Sequence, residues 1–389
     1  MSQAESSLRS SKQDILTWRY RQLKARIWKA SRELYHCVDQ PDVSILGAYH
    51  GENVGDLALG NAVREVVNQA DNPGCLQDLY CLERQRIGDT IILGGGATGV
   101  ESNISELADS YGDRASRTAM VGMDFSGDFA DYSDEALSYL RDVRYISCRS
   151  KEQTEMVEEV LQREDIQFHY DNAFALKGTG NPSVVLGDRM LGYNALNLFM
   201  MWTGDRFEPG TPLEEWYRKV DSPILPYVKR IGPAYIRVLR EALNAYQGMG
   251  YRVVHIPFTP EDSLFAKTYF QPQTDTFLSY SSNVNDIVGH VANCDRLLST
   301  RYHSLIFGIK CQIPTIPVLY AVKCADLLED LGVEKELGIA RTDLVDDPDR
   351  CSNKLVDGDP VVLEETHIRN IQATVRGAIE DAVRMVFPR

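Results

Sequence analysis

Ser299-Thr300-Arg301-Tyr302-His303-Ser304 places a fixed cation two residues from an imidazole. Arg301 offers a planar, permanently charged fork that matches a carboxylate or a phosphate. His303 gives or takes a proton near neutral pH. Together they suit a small anionic substrate that is held and then protonated. The apolar Leu297-Leu298 before them reads as a strand end, and Leu305, Ile306, Phe307 and Ile309 after them as a helix. A strand-to-helix junction favours anions, because free N–H groups and the helix dipole both point at it. Alone, one Arg-x-His at a helix start has the form of any surface capping pair. Its place at the carboxyl end of a strand, where open α/β sheets bind ligands, singles it out.

Other junctions add chemistry. In His50-Gly51-Glu52-Asn53-Val54-Gly55-Asp56, Gly55 lets backbone approach a ligand, and Asn53 and Asp56 can cap a helix or bond hydroxyls. A capped turn without a ligand fits that segment equally well. Gly94-Gly95-Gly96-Ala97-Thr98-Gly99 satisfies the dinucleotide fingerprint, with Asp124 as its distant carboxylate. The fingerprint belongs to a first βα turn, which this is not, so a cleft-lining backbone loop built on Gly94, Gly95 and Gly96 is the better expectation. Tyr145-Ile146-Ser147-Cys148-Arg149-Ser150 brings Arg149 to another strand end, where a lone arginine is commonly an ion-pair partner. Lys323, after the strand at 315–319, is a further cation, or simply a helix-start surface lysine.

The elements that position these residues alternate. Strands are expected at 43–48, 90–93, 119–123, 145–148 and 166–169, with helices at 56–67, 133–141 and 151–163. Such alternation implies an α/β fold, a mostly parallel sheet with helices on both faces. Frequent Gly and Pro at 177–235 mark a boundary near 178–182. A second α/β unit follows, with helices at 234–248, 284–292, 303–311 and 322–331 and strands at 252–256, 296–299 and 315–319. A last helix is expected at 362–386. At the other end, Leu16, Tyr20, Leu23, Ile27, Ala30 and Leu34 form one helical stripe over 13–36, flanked by five basic residues, Arg19, Lys24, Arg26, Lys29 and Arg32. A helix docked on protein is the favoured reading, and peripheral contact with anionic lipid the alternative.

The chain of 389 residues is long enough for two cored domains, and its net charge of −15 argues against a general nucleic-acid binder. The charge is uneven: residues 1–36 carry eight Arg and Lys against three Asp and Glu. No apolar run approaches the roughly 20 residues of a membrane-spanning helix, and no secretory leader is visible, so a cytoplasmic location is expected. Eight cysteines form no C-x-x-C pair and no zinc spacing, so no metal is expected and the thiols read as reduced and buried. Cys148 beside Arg149 is a candidate for a lowered pKa, with a core cysteine the plainer account. Asp347-Pro348-Asp349 and Asp357-Gly358-Asp359 have the Asp-x-Asp form but read as a solvated turn region.

The ordered series Gly51-x-Asn53-x-Gly55-Asp56, Gly94-Gly95-Gly96, Ser147-Cys148-Arg149, Asp171-Asn172-Ala173-Phe174-Ala175-Leu176, Asp295 through Arg301-Tyr302-His303, and Pro314 through Lys323 resembles the polysaccharide pyruvyl transferase family over roughly residues 43–340. The resemblance implies two Rossmann-like domains facing a cleft, similar to GT-B glycosyltransferases. It implies phosphoenolpyruvate as donor, a hexose-containing and often lipid-linked glycan as acceptor, a cyclic pyruvate ketal as product, and neither cofactor nor metal. On it, Arg301 and His303 match the family's Arg-x-His and Arg149 its earlier donor-binding arginine; Asn53, Gly55, Asp56, Gly94, Gly95, Gly96 and Lys323 complete the expected site. Where the family has Asp after the earlier arginine and often Ser three residues beyond, Ser150 and Gln153 stand; its Asp-Pro-Ala-Phe-like motif reads Asp171-Asn172-Ala173-Phe174. The expected division is a helical segment 1–40, Rossmann-like domains 41–180 and 181–345, and a tail with a helix at 346–389. The rival readings are a GT-B-type enzyme using a nucleotide-sugar, an NAD-dependent oxidoreductase on the Gly94–Gly99 loop, and a non-catalytic glycan-assembly partner. A homo-oligomer is compatible with all of them.

Overall fold

The computed structural model describes residues 41–49, 52–70, 73–125, 128–178, 189–196 and 225–387. The expected helix at 13–36 lies outside them, as do His50, Gly51 and most of the segment 187–235. The first sheet comprises β1 (Val43–Gly47), β2 (Gly74–Asp78), β3 (Thr90–Leu93), β4 (Gly96–Gly99), β5 (Thr118–Phe125), β6 (Tyr145–Cys148) and β7 (Gln167–Phe168). Helices α1 (Val54–Gln69), α2 (Glu101–Tyr111), α3 (Asp134–Asp142) and α4 (Lys151–Leu161) connect them. The order is β2-β1-β3-β5-β6-β7, with β4 beside β5 and every described pair parallel. Helices cover both faces, so the strands are apolar on both. Ile45 and Ile92 enter one buried cluster, while their neighbours Leu46, Ile91 and Leu93 enter another.

The second sheet has the order β10-β9-β8-β11-β12-β13, again all parallel. Its strands are β8 (Met190–Tyr193), β9 (Arg252–His255), β10 (Thr276–Phe277), β11 (Arg296–Ser299), β12 (Thr315–Leu319) and β13 (Ile339–Ala340). Its helices are α5 (Leu225–Gly248), α6 (Pro260–Phe270), α7 (Val284–Ala292), α8 (Tyr302–Lys310), α9 (Val322–Asp330), α10 (Arg341–Asp346) and α11 (Pro348–Asp357). The last helix, α12 (Glu365–Val386), returns to the first sheet and packs on α1, β5 and β6. Its buried stripe of Ile368, Ile371, Val375, Ile379 and Val383 has helical spacing.

Two expectations are corrected. The stretch read as divergent contains β8, an interior strand between β9 and β11. Its signal was broken by Gly192, which is needed because a β-carbon there would stand 2.4 Å from Cys294 Sγ. Asp347-Pro348-Asp349 opens helix α11 rather than lying in a turn, whereas Gly358 and Asp359 follow the helix end, with Asp357 and Asp359 exposed as expected. Asp347 is the N-cap of α11, accepting from Arg350 N at 3.0 Å, and Pro348 occupies the first turn.

Candidate active site

In each sheet the strand order reverses beside its first strand, between β1 and β3 and between β8 and β11. Loops leaving such a pair at their carboxyl ends diverge and leave a crevice. The described residues at these places are 48–49, 52–53 and 94–96 in the first sheet, and 194–196 and 300–301 in the second, which is where the chemical residues gather.

Arg301 is the N-cap residue of α8, and its backbone N–H donates to Asn194 Oδ1 at 3.0 Å across the β8/β11 switch. Its guanidinium grips Asp262 in a bidentate pair: Nε donates to Oδ2 at 2.8 Å and Nη2 to Oδ1 at 2.7 Å. Nη2 also donates to Thr259 Oγ1 at 3.1 Å. Asp262 is fixed in turn, since it accepts from the backbone of Phe258 and Thr259 and closes a capping box at the start of α6. Burial opposes the charge on Arg301, and Asp262 overrides it, raising the guanidinium's affinity for its proton.

Arg149 follows β6 and is held twice. Nη1 donates to Asp171 Oδ2 at 3.0 Å, and Nη2 pairs with Asp124. Its guanidinium also lies 4.7 Å from the centre of the Tyr302 ring. The side chain is only 5% exposed. Burial works against its charge, while Tyr302, Asp124 and Asp171 keep it protonated. Burial likewise opposes ionisation of Asp124, but Arg149 holds that carboxyl below its usual range. Ser150 and Gln153, next to Arg149, have local roles. Ser150 caps α4 by accepting from Gln153 N, and the Gln153 amide spans Asp124 and the backbone of Phe125.

The two groups meet at α1. Asn53 caps it by accepting from Gly55 N at 3.0 Å, and Val54 N donates to Phe258 O of the second unit at 3.0 Å. Gly55 then lies against His303: a β-carbon on it would be 1.9 Å from the imidazole Nδ1. Only glycine leaves that room. The other ring nitrogen, Nε2, stands 3.8 Å from Asp171 Oδ1, too far for a hydrogen bond, and is buried with no partner among the described residues. Burial pushes His303 down to about 4, with Arg149, Lys323 and Arg301 acting the same way and Asp171 against it. Asp56, one residue beyond Gly55, goes the other way. Burial raises it to about 6 although Lys323, Arg149 and Arg301 all favour its charge. Lys323 Nζ lies 5.4 Å from the centre of the Tyr302 ring, and burial, then Arg149, lower its pKa.

Asn53, Gly55, Asp56, Arg149, Arg301, His303 and Lys323 are thus neighbours. Gly94, Gly95 and Gly96 form a packed turn rather than an open cleft-lining loop. A β-carbon on Gly94 would meet the Tyr49 hydroxyl at 1.8 Å, and one on Gly95, whose φ is +89°, would meet Asn172 Nδ2 at 2.7 Å. Gly96 continues into β4 instead of opening a helix, the feature a dinucleotide turn requires. Asn172 ties this turn down, donating to Gly94 O at 3.0 Å and Val121 O at 2.8 Å. Cys148 is a core cysteine whose thiol burial pushes up to about 12.

Sequence reasoning passed over Asp262 and Asn194, and gave Asp124 and Tyr302 no role in this group. The Thr259-Pro260-Glu261-Asp262 capping box was a readable sign of a helix start there. Nothing local marked Asp262 as the partner of a residue 39 positions on. The recess bounded by Asp124, Arg149, Tyr302 and Lys323 has a volume of about 20 Å³. A larger cavity of about 390 Å³ lies between the 174–178 turn and α12, lined by none of the expected site residues.

Residues 208–321 match the family model for polysaccharide pyruvyl transferase. That segment ends just after Tyr320 and contains the whole Arg301-Tyr302-His303 run. No curated protein matches the sequence significantly. Among solved structures, the chain is similar to a functionally uncharacterized protein, KP1_0663 from Klebsiella pneumoniae subsp. pneumoniae NTUH-K2044. The identity is 10%, with 78% of this chain and 93% of that one covered and a TM-score of 0.38. Among the described residues no helix is long and apolar enough to cross a membrane.

Proposed function

We propose that the protein is a pyruvyl transferase that moves the enolpyruvyl group of phosphoenolpyruvate onto a glycan hexose, closing a pyruvate ketal across two hydroxyls and releasing phosphate. The observation that carries this reading is the Gly55–His303 contact, which sets an imidazole from the family-matched segment against the first unit's α1. We infer with it that the two sheets are Rossmann-like domains facing a GT-B-like cleft, corresponding to residues 41–180 and 181–345.

The reaction asks for a proton at the methylene carbon, a cation at the adjacent carbon, and removal of protons from two attacking hydroxyls. Arg301 is pre-oriented by Asp262, and Lys323 forms no ion pair among the described residues, so both can face the donor's charges. Arg149 contributes a positive field from a fixed position behind Tyr302. His303 is neutral until an anion arrives, a state suited to accepting a hydroxyl proton. The recess beside Arg149 has room for about one water, so a phosphorylated three-carbon acid requires the lips to part. The acceptor, by the family's name, is a saccharide. Incubation with phosphoenolpyruvate and a panel of hexose-containing glycans tests the reading by the appearance of a ketal methyl signal. Sugar transfer from a nucleotide-sugar, without ketal formation, would replace it by the glycosyltransferase reading.

A further inference from the structure

The carboxylates of the site are not equivalent. Asp124 and Asp171 are bound by Arg149, and Asp262 by Arg301. Asp56 forms no ion pair among the described residues, although it stands in the first turn of α1 beside the Gly55–His303 contact. Its charged neighbours come from several elements: Lys323 of α9, Arg149 after β6 and Arg301 before α8, with Asn53 as its hydrogen-bond partner. The hydroxyls of Tyr49 and Tyr320 also feel its charge. Asp326 and Lys323 also line the recess without an ion pair among the described residues, but Asp56 and His303 are the proton carriers on either side of the Gly55–His303 contact, set on opposite units.

We propose that Asp56 is the carboxylic acid that protonates the methylene carbon of the donor, with His303 as the base that receives the first hydroxyl proton. This rests on the pyruvyl transfer reading and assigns the proton traffic within it. The Asp56 carboxyl gives its proton to the methylene carbon, and the adjacent carbon becomes cationic. The first sugar oxygen bonds to that carbon while its proton passes to His303. The carbon–oxygen bond to phosphate then breaks, and His303 returns its proton to the departing phosphate oxygen. The second hydroxyl closes the ketal and its proton restores the Asp56 carboxyl. Both groups end as they began, and nothing is oxidised or reduced. Opposed environments support the division: burial raises Asp56 to about 6 and lowers His303 to about 4.

The test compares wild type, Asp56→Asn and Asp56→Glu in phosphoenolpyruvate binding by calorimetry and in phosphate release across pH. Asp56→Asn should bind the donor within about threefold of wild type and lose about 10²-fold or more in turnover. Asp56→Glu should recover part of that loss. Wild-type turnover should fall as pH rises through the Asp56 pKa, since the acid is then ionised. Turnover by Asp56→Asn within about tenfold of wild type overturns the proposal. So does a wild-type profile with no alkaline fall, which needs no variant to fold. If wild type neither binds phosphoenolpyruvate nor releases phosphate, the pyruvyl transfer reading fails, and this assignment with it.

Discussion

Arg149 and Arg301 occupy similar places, each after a parallel strand and each paired with buried aspartate, yet they are built differently. Arg149 has two carboxylates and a tyrosine from the other unit around it, and 5% of its side chain is exposed. Arg301 has one carboxylate, gripped by two nitrogens, with its hydrogen-bond partners Asp262, Thr259 and Asn194 all from its own unit, and 20% of its side chain is exposed. The first is a brace across the two units. The second is a pre-aimed cation with surface left for a ligand. The lesson is that arginine at a strand end does not by itself mean substrate contact; the number and origin of its partners decide.

The sharpest way to break this contrast is to remove each guanidinium in turn. Arg149→Ala strands Asp171 and Asp124 in the interior and should cost about 3–5 kcal/mol of stability. Chemical denaturation measures this. Arg301→Lys should leave the midpoint nearly unchanged but weaken donor binding about tenfold or more, because an ammonium cannot supply the planar fork. Equal losses of stability in both variants would erase the distinction.

The buried histidines sharpen the same comparison by pH. On the Arg149 side, His169 has both ring nitrogens occupied, by Ser147 Oγ at 2.9 Å and Tyr170 O at 2.6 Å. On the Arg301 side, His255 has neither nitrogen partnered among the described residues, and burial lowers it to about 4. A histidine depressed in the fold binds its proton more readily when unfolded, so stability falls as pH drops from about 6.5 towards 4. The loss through His255 should approach about 3 kcal/mol, and His255→Phe should make that limb shallower in melts across the range, His303 keeping its own share. An unchanged acid limb would place the sensitivity elsewhere.

A smaller effect is expected where the units touch. Gly55→Ala puts a methyl where His303 Nδ1 now sits, so the imidazole must move. Turnover should fall about 10²-fold, or about 2.7 kcal/mol in the barrier, and the overpacking should cost about 1–3 kcal/mol of stability. Asn172→Ala leaves Gly94 O and Val121 O without their amide donor and should cost about 1–3 kcal/mol by denaturation.

Much of this was legible beforehand. Strands 145–148, 296–299 and 315–319 and helix 284–292 match the structure residue for residue, because short apolar runs between charged, periodic segments leave little freedom. The grouping of Arg301, His303, Arg149, Asp56 and Lys323 followed from strand ends. What sequence withheld was pairing. Asp262 lies 39 residues before Arg301, and Asp171 22 after Arg149, and no local pattern announces such partners. Strand β8 was hidden by its own glycine, and Gly94–Gly96 was misjudged because a glycine run reads the same whether a ligand or Tyr49 fills the space above it.

The most direct measurement is phosphate release from phosphoenolpyruvate in the presence of a glycan acceptor, by wild type and by His303→Ala matched for circular dichroism and melting. The account predicts steady release by wild type and loss of about 10²-fold or more in the variant. Undiminished release by a folded His303→Ala protein would contradict it.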